Sequence, residues 1–184
     1  MKPVKIFVTQ SGNTLNSHKD FLKRLRHHRK IKEKEVHECD VILAFCPIVS
    51  RLGTDIEAAL KIFKGHSTPS KPIIVVVLHH TYERDEVVPD SNKYATTNIC
   101  IVNSLFHESE GLLKNCKLNS EAINITSQKL KDFKRMIKSK GGKMNSKENS
   151  KKNQVGVSQR IKTGPEEEGE TSKIRNKKKK CVIL

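Results

Sequence analysis

Two stretches of almost continuous apolar sequence constrain the fold of this chain most strongly. Residues 40–46 (DVILAFC) and 72–78 (PIIVVVL) have almost no polar side chain among them. Successive side chains of a strand point to opposite faces of a sheet, so a strand without polar alternation is buried on both faces. Such strands are typical of parallel sheets that helices cover on both sides.

Weaker patterns predict the remaining elements. Residues 4–9 and 98–102 are short apolar runs with β-branched side chains, which indicates two further strands. Amphipathic spacing predicts helices over 17–30 and 120–137. We therefore expect a three-layer α/β domain of flavodoxin-like or Rossmann-like type, with a mostly parallel sheet of four to five strands.

The composition changes after residue 139. Residues 140–184 are rich in Lys, Ser, Asn, Gly and Glu, and half of the net charge of +16 falls there. A segment of this kind buries too little apolar area to offset its ordering entropy. The sequence thus predicts a folded domain over 1–139 and a disordered, polybasic tether over 140–184.

The chain ends in a C-a-a-X prenylation signal, Cys181-Val182-Ile183-Leu184, whose last residue favours a geranylgeranyl group. Four lysines precede it directly: Lys177, Lys178, Lys179 and Lys180. One prenyl chain gives only marginal membrane binding, and each lysine near an anionic leaflet adds about 1 kcal/mol. We expect a prenyltransferase to modify Cys181 and an anionic membrane to hold the protein at its cytoplasmic face, with a cytosolic pool and no secretion. A frayed tail and a nuclear localisation signal are the alternatives.

The carboxyl ends of the strands are where an open parallel sheet binds ligands. Three loops should meet there, over residues 9–13, 47–53 and 79–82. The candidate ligand-binding residues come from the first loop and from the second loop with the helix start after it: Ser11, Gly12, Asn13, Gly53, Thr54 and Asp55. Thr54 or Asp55 is also expected to cap a helix that begins at this point.

Residues 40–45, 53–60 and 71–73 resemble nucleoside deoxyribosyltransferases and related Rossmann-type nucleotide hydrolases that share a G-T-x-x-E motif. The resemblance implies that Gly53 and Thr54 lie in a substrate loop. It also implies that Glu57 attacks or stabilises the anomeric carbon of an N-glycosidic bond, which is sensible chemistry for a carboxylate. The alternative is that Glu57 and Asp55 simply complement the dipole of the helix.

His79 and His80 follow the most apolar strand. Because strand side chains alternate, one imidazole should face the ligand crevice and the other the opposite side. Either one suits general acid or base catalysis, although a hydrogen-bonded structural role is the alternative. No Cys or His stands at the usual zinc-ligand spacing from them, so we expect neither a metal nor a cofactor.

Residues 23–32 form a basic stretch that suits the phosphates of nucleic acid or lipid, or simply a solvated helix end. Aromatic residues make up only 4% of the chain and Trp is absent, which disfavours stacking on single strands. The tail resembles those of Ras and Rho proteins, but no G-x-x-x-x-G-K-[ST] phosphate loop is present.

Segments such as 88–91 and 104–108 resemble small uncharacterised proteins of bony fishes, for which virus-inducible expression is suspected. That resemblance implies a role in innate antiviral defence. Three functions stay open at this point. The first is a prenylated, membrane-peripheral module that binds a nucleotide-like ligand or a protein partner in signalling or defence. The others are an N-glycosidic hydrolase or transferase that acts on nucleosides or nucleotides through Glu57, and a nucleic-acid-binding protein.

Overall fold

The computed structural model describes the backbone of residues 2–66 and 71–148, and the side chains of these ranges up to residue 139. Within them the chain forms six strands, three α-helices and a short 3-10 helix at Asn92–Tyr94. In chain order the elements are β1 (Val4–Gln10), α1 (Ser17–His28), β2 (Ile31–Glu33), β3 (Val41–Pro47), α2 (Leu52–Gly65), β4 (Ile73–His80), β5 (Ile99–His107), β6 (Gly111–Leu112) and α3 (Lys117–Glu148).

The strands form one sheet in the order β2-β1-β3-β4-β5-β6. The first five run parallel, and only β6 is antiparallel to its neighbour β5. The predicted α/β fold with a mostly parallel sheet is confirmed. The predicted count of four to five strands is wrong, because β2 and β6 are edge strands of three and two residues, too short to produce a hydrophobic pattern.

Helices cover the sheet on both sides, as the two apolar stretches predict. The odd-numbered residues 41–45 of β3 pack with α1 and α3, and the even-numbered residues 42–46 pack with α2. All of these side chains are fully buried. Burying a large aliphatic or aromatic side chain stabilises a fold by about 1.5–3 kcal/mol, so this strand and β4 dominate the core.

Helix α3 runs in the opposite direction to the parallel strands. Near its start, Asn119 contacts Leu105 close to the carboxyl end of β5, and further along, Lys134 donates to the backbone oxygens of Lys2 and Pro3 before β1. The helix is longer than the predicted 120–137 and reaches Glu148, inside the segment that the sequence assigns to the tether. The rest of the tether lies outside the described residues, so the domain boundary at 139 stays a prediction.

Helix α1 ends earlier than the predicted residue 30. Arg29 already has extended backbone angles (φ −147°, ψ 131°), and the chain then enters β2. The basic stretch over 23–32 is therefore the last part of a helix followed by the start of an edge strand.

Side chains from two helices close the β5–β6 edge of the sheet. Asn119 is fully buried, accepts the backbone N–H of Leu105 (2.7 Å) and donates to the backbone oxygens of Leu105 (2.8 Å) and Leu113 (3.0 Å). From α1, Arg24 donates to the carbonyl of Leu113 (3.0 Å). These bonds satisfy backbone groups that another strand would otherwise pair.

We expect Asn119→Ala to lower the free energy of unfolding by about 1–3 kcal/mol, because the buried N–H of Leu105 loses its partner. The carbonyls of Leu105 and Leu113 lose one donor each but keep the Leu113 N–H and Arg24. The matched control is Asn124→Ala on the same helix, where the side chain is exposed, and its change should stay within about 0.5 kcal/mol. Urea unfolding followed by circular dichroism measures both. Equal small effects would show that the Asn119 bonds are dispensable.

Candidate functional site

The loops after β1 and β3 meet at the carboxyl edge of the sheet. The backbone N–H of Ser11 donates to the carbonyl of Phe45 (3.0 Å), and a Cβ added at Gly12 would lie 3.2 Å from Cγ of Pro47. Asn13 uses its Oδ1 atom to accept the N–H of Leu15 (3.0 Å), a local turn contact. Two of the loops that the sequence analysis assigned to the ligand site are therefore adjacent.

The start of α2 differs from the predicted one. The helix begins at Leu52 with Arg51 as its N-cap, and neither Thr54 nor Asp55 occupies the cap position. Asp55 instead reaches back to its own loop: its carboxylate accepts the N–H groups of Val49 and Ser50 and the hydroxyl of Ser50, each at 2.8 Å.

The hydrogen bonds to Asp55 change the pKa of its carboxyl group. Partial burial raises the pKa of Asp55, but the three hydrogen bonds outweigh it and leave the pKa below its ordinary value. The carboxylate is thus ionised and engaged in holding the loop over 48–51.

Gly53 and Glu57 lie one turn apart on the same side of α2, but they have different surroundings. A Cβ added at Gly53 would lie only 2.8 Å from the hydroxyl oxygen of Tyr94, so this position accommodates the 3-10 helix. Thr54 and Glu57 are exposed, and no described residue forms a hydrogen bond or ion pair with the Glu57 carboxylate. A cavity at the ends of β3 and β4 is lined by other residues. The catalytic role of Glu57 therefore stays a prediction.

A cavity of about 320 Å³ lies at the ends of β3 and β4. Its lining residues come from these two strand ends and from the connection to β5: Ile48, His79, His80, Thr81, Glu86, Val87, Val88 and Pro89. Val87 is 89% exposed at its rim. The cavity combines imidazoles, a hydroxyl and a carboxylate with apolar walls, a mixture suited to a small polar ligand.

His79 and His80 both line this cavity, and they have different hydrogen-bond partners. Nε2 of His79 lies 3.1 Å from Oδ1 of Asn103, and the hydroxyl of Ser91 donates to the same oxygen (3.0 Å). Burial lowers the pKa of His79, although the hydrogen bond to Asn103 opposes this, and the imidazole is neutral at pH 7. The structural alternative for His79 is therefore supported.

His80 meets two residues that the sequence analysis did not connect with it. Its Nε2 atom hydrogen-bonds to Oε2 of Glu108, and Nε2 of His107 lies 3.0 Å from the same oxygen. The hydrogen bond from His80 is the main cause that lowers the pKa of Glu108. Parallel register places these residues together, because His80 pairs with Phe106 across β4 and β5.

Cys46 lies beside the predicted ligand loops but is not a nucleophile. Its thiol is fully buried and donates to the carbonyl of Asp55 (3.6 Å). Burial raises the pKa of the Cys46 thiol to about 11, with the Asp55 charge adding to this and a hydrogen bond with Ser11 opposing it. At pH 7 only about one molecule in ten thousand carries the reactive thiolate.

A second, larger cavity of about 500 Å³ lies at the opposite, amino edge of the sheet. Apart from Val4, every residue that lines it is basic: Lys2, His28, Arg29, Lys30, Lys131, Lys134, Arg135 and Lys138. We call this cavity the basic groove. It joins the end of α1, part of the predicted basic stretch, to a stretch of α3 that the sequence analysis treated only as an amphipathic helix.

The cations of the basic groove are largely uncompensated. No carboxylate among the described residues pairs with Lys30, Lys131 or Lys138, and Arg135 lies 3.9 Å from Asp132. Burial lowers the pKa of Lys134, with the nearby Asp40 opposing the effect and neighbouring lysines adding to it. The groove therefore concentrates positive charge that few described carboxylates balance.

Comparison with known proteins gives no relative: no family model matches the chain, and no curated protein or solved structure matches it either. The resemblances described under Sequence analysis stay predictions. Within the part of the chain that the structure describes, no helix has both the length and the apolar character that a membrane span requires. Cys181 and the four lysines before it lie outside the described residues.

We expect the Cys46 thiol to make folding stability fall between pH 9 and 11. Its pKa is raised in the folded state, so the unfolded chain loses the proton first and is favoured as the pH rises through this window. This contribution should reach about 2 kcal/mol, measured as unfolding free energies in urea at pH 8 and 10.5. Cys46→Ala should remove it and keep the remaining pH dependence, to which the thiols of Cys39 and Cys100 contribute because burial raises their pKa values too. Val77→Ala is the matched control: it opens space beside Cys46 on the neighbouring strand and should keep the wild-type pH dependence. An unchanged slope in Cys46→Ala would contradict the assignment.

Proposed function

We propose that this chain is a membrane-peripheral α/β module. The basic groove and a prenylated Cys181 bind an anionic membrane, while the carboxyl edge of the sheet binds a nucleotide-like ligand or a protein partner. The observation that carries the proposal is the arrangement of the two edges. The basic groove lies at the amino edge, and the cavity with His79 and His80 lies at the carboxyl edge.

Helix α3 connects the groove to the tail. Its segment from Lys131 to Lys138 lines the groove, and its backbone continues to Glu148, away from the carboxyl edge. At 1.5 Å per residue, the ten residues after Lys138 extend about 15 Å further. The segment that leads to the four lysines and Cys181 therefore leaves the described domain on the side of the basic groove.

The number of cations is sufficient for this role. A single prenyl chain gives reversible binding, and a second signal is needed for stable attachment. Each basic residue near an anionic leaflet contributes about 1 kcal/mol, so three or four groove cations would double the contribution of the four tail lysines. Nucleic acid carries the same kind of charge, and the few aromatic residues of the chain disfavour only its single-stranded form, which binds by base stacking.

The topology supports a ligand at the other edge. The parallel strands follow the order 2-1-3-4-5, which we take as flavodoxin-like rather than Rossmann-like. In such sheets the order in which strands are added reverses between β1 and β3. Ligands bind at the carboxyl ends of the strands near this point. Ser11, Gly12 and Pro47 lie at the reversal, beside the cavity that Ile48 helps to line. A role in antiviral signalling rests on the resemblance to the fish proteins alone.

We expect the unprenylated full chain to bind phosphatidylserine-containing vesicles and not pure phosphatidylcholine vesicles. Lys30→Glu/Lys138→Glu should weaken this binding by at least about thirtyfold, since reversing two charges costs about 2 kcal/mol or more at the surface. Vesicle cosedimentation at constant ionic strength measures the partition coefficient.

The matched control is Lys114→Glu/Lys117→Glu, which changes the net charge equally at the carboxyl edge, where both side chains are exposed. These charges would lie more than a Debye length of about 8–10 Å from the membrane and should change binding less than threefold. Equal losses in both double variants would disprove the proposed orientation. Tighter binding to duplex RNA than to vesicles would favour the nucleic-acid hypothesis instead.

A separate prediction concerns the lipid anchor at Cys181. Expressed in animal cells, the wild-type chain should gain the mass of a geranylgeranyl group at Cys181 and partition mainly with membranes. Cys181→Ser should lack the added mass and move to the soluble fraction, while the basic groove stays intact. Intact-protein mass spectrometry and fractionation measure both, and an unmodified wild-type Cys181 would exclude prenylation.

A further inference from the structure

Three side chains that ligate metals meet at the carboxyl ends of β4 and β5. We propose that His80, His107 and Glu108 bind one divalent transition-metal ion, with zinc as the ion that the ligand set fits best. Each residue offers one ligand atom, and these three atoms all lie within 4.8 Å of one another. His80 also lines the cavity to which the proposed function assigns a ligand, so the metal would deepen that function, whereas it is independent of membrane binding.

The distances suit a small ion. Zinc bonds of about 2.0–2.1 Å in a tetrahedral site place neighbouring ligand atoms about 3.3 Å apart. Nε2 of His107 and Oε2 of Glu108 are already 3.0 Å apart, and His80 contacts the same carboxylate oxygen. Small side-chain rotations of the exposed His80 and Glu108 would open the space for the ion.

The buried His107 supplies the independent evidence for a ligand. Its side chain is 1% exposed, and Nε2 is buried without a hydrogen-bond partner, since the contact with Glu108 lacks hydrogen-bond geometry. A buried polar atom without a partner costs about 1–3 kcal/mol, so folded proteins rarely leave one. A metal ion bound between His107 and Glu108 would remove this cost.

The other nitrogen of His107 has the partner that a metal-binding imidazole requires. Nδ1 lies 2.9 Å from the hydroxyl oxygen of Ser109 and also accepts the backbone N–H of Ser109 (3.2 Å). As long as Nδ1 accepts the backbone N–H of Ser109, the proton of the neutral imidazole resides on Nε2. Metal binding at Nε2 would move the proton to Nδ1, from which it would be donated to the Ser109 hydroxyl, the usual support of a histidine ligand.

Aromatic contacts hold both imidazoles in place. The ring of Tyr82 stacks on His107 with centroids 3.5 Å apart, and the edge of Phe106 meets His80 at 5.3 Å. The two imidazole centroids are 4.8 Å apart. A ligand pair that is held in this way loses little side-chain freedom on binding, which favours affinity.

The donor set selects the class of ion. Two imidazoles with one carboxylate suit Zn²⁺ and the neighbouring transition metals, whereas Mg²⁺ and Ca²⁺ prefer sites made of oxygen atoms alone. The His80 and Glu108 side chains are 45% and 53% exposed, so solvent reaches the cluster from one side. Three protein ligands with an open fourth position are the arrangement of zinc sites that bind water or a substrate.

Calorimetric titration of the metal-stripped full chain with Zn²⁺ tests the proposal, in a Cys181→Ser background that removes the tail thiol as a competing ligand. We expect one zinc per chain. His80→Ala and Glu108→Ala should each weaken zinc binding by more than about a hundredfold. Loss of a residue that only supports a ligand already costs about 10–100-fold in metal affinity. Both residues are exposed, so these variants should fold.

Two further variants separate metal binding from a structural role. Ser109→Ala should weaken zinc binding by about 10–100-fold, because Nδ1 of His107 loses the hydroxyl that supports it. His37→Ala removes an exposed histidine elsewhere and should leave the affinity unchanged. In imidazole ¹⁵N spectra of the wild type, zinc should shift Nε2 of His107 and His80. Equal zinc affinity in wild type, His80→Ala and Glu108→Ala, or no zinc binding by the wild type, would overturn the proposal and leave a proton shared by His80 and Glu108.

Discussion

The central strands β3 and β4 are buried on both faces, and the rest of the domain depends on this burial. All seven residues of β3 are buried, as are the first six of β4. Side chains on both faces must be covered, which requires helices on opposite sides of one sheet. Helix α2 alone covers one side, and α1 with α3 covers the other. Because every parallel strand is then followed by a connection at the same edge, the loops with polar residues converge there.

The sheet has to end somewhere, and the way it ends shapes the candidate metal cluster. Strand β6 contributes only two residues, so side chains replace the missing strand: Asn119 binds the backbone of Leu105, and Arg24 binds the chain just after β6. Gly111, at φ +70°, turns the chain from β5 into β6, and its missing side chain leaves room for Oδ2 of Asp20, which an added Cβ would meet. His107 lies inside this closed corner, which explains how an imidazole next to an exposed glutamate is itself buried.

The predictable part of the structure is the part that depends on local pattern. Continuous apolar runs identified β3 and β4, and helical spacing identified α1 and α3, because burial leaves its period in the sequence. Contacts between distant residues leave no such period. His80 was recognisable as a residue at a strand end, but its partner Glu108 is 28 residues away, and only the register of β4 with β5 joins them. The start of α2 was misplaced for a related reason: Asp55 has the chemistry of a cap, yet it bonds to the loop before the helix.

The basic groove and the cluster of His80, His107 and Glu108 lie at opposite ends of the strands. The eight residues of β4 span about 26 Å, at about 3.3 Å per residue. The basic groove lies near one end of the sheet, and the candidate metal cluster lies near the other. That separation exceeds the Debye length of about 8 Å at physiological ionic strength. An anion in the groove therefore has little direct electrostatic effect on His80 or Glu108. Any coupling between the ends would have to be mechanical, and α3 is the element that contacts both, through Asn119 at the β5 corner and Lys134 at the start of β1.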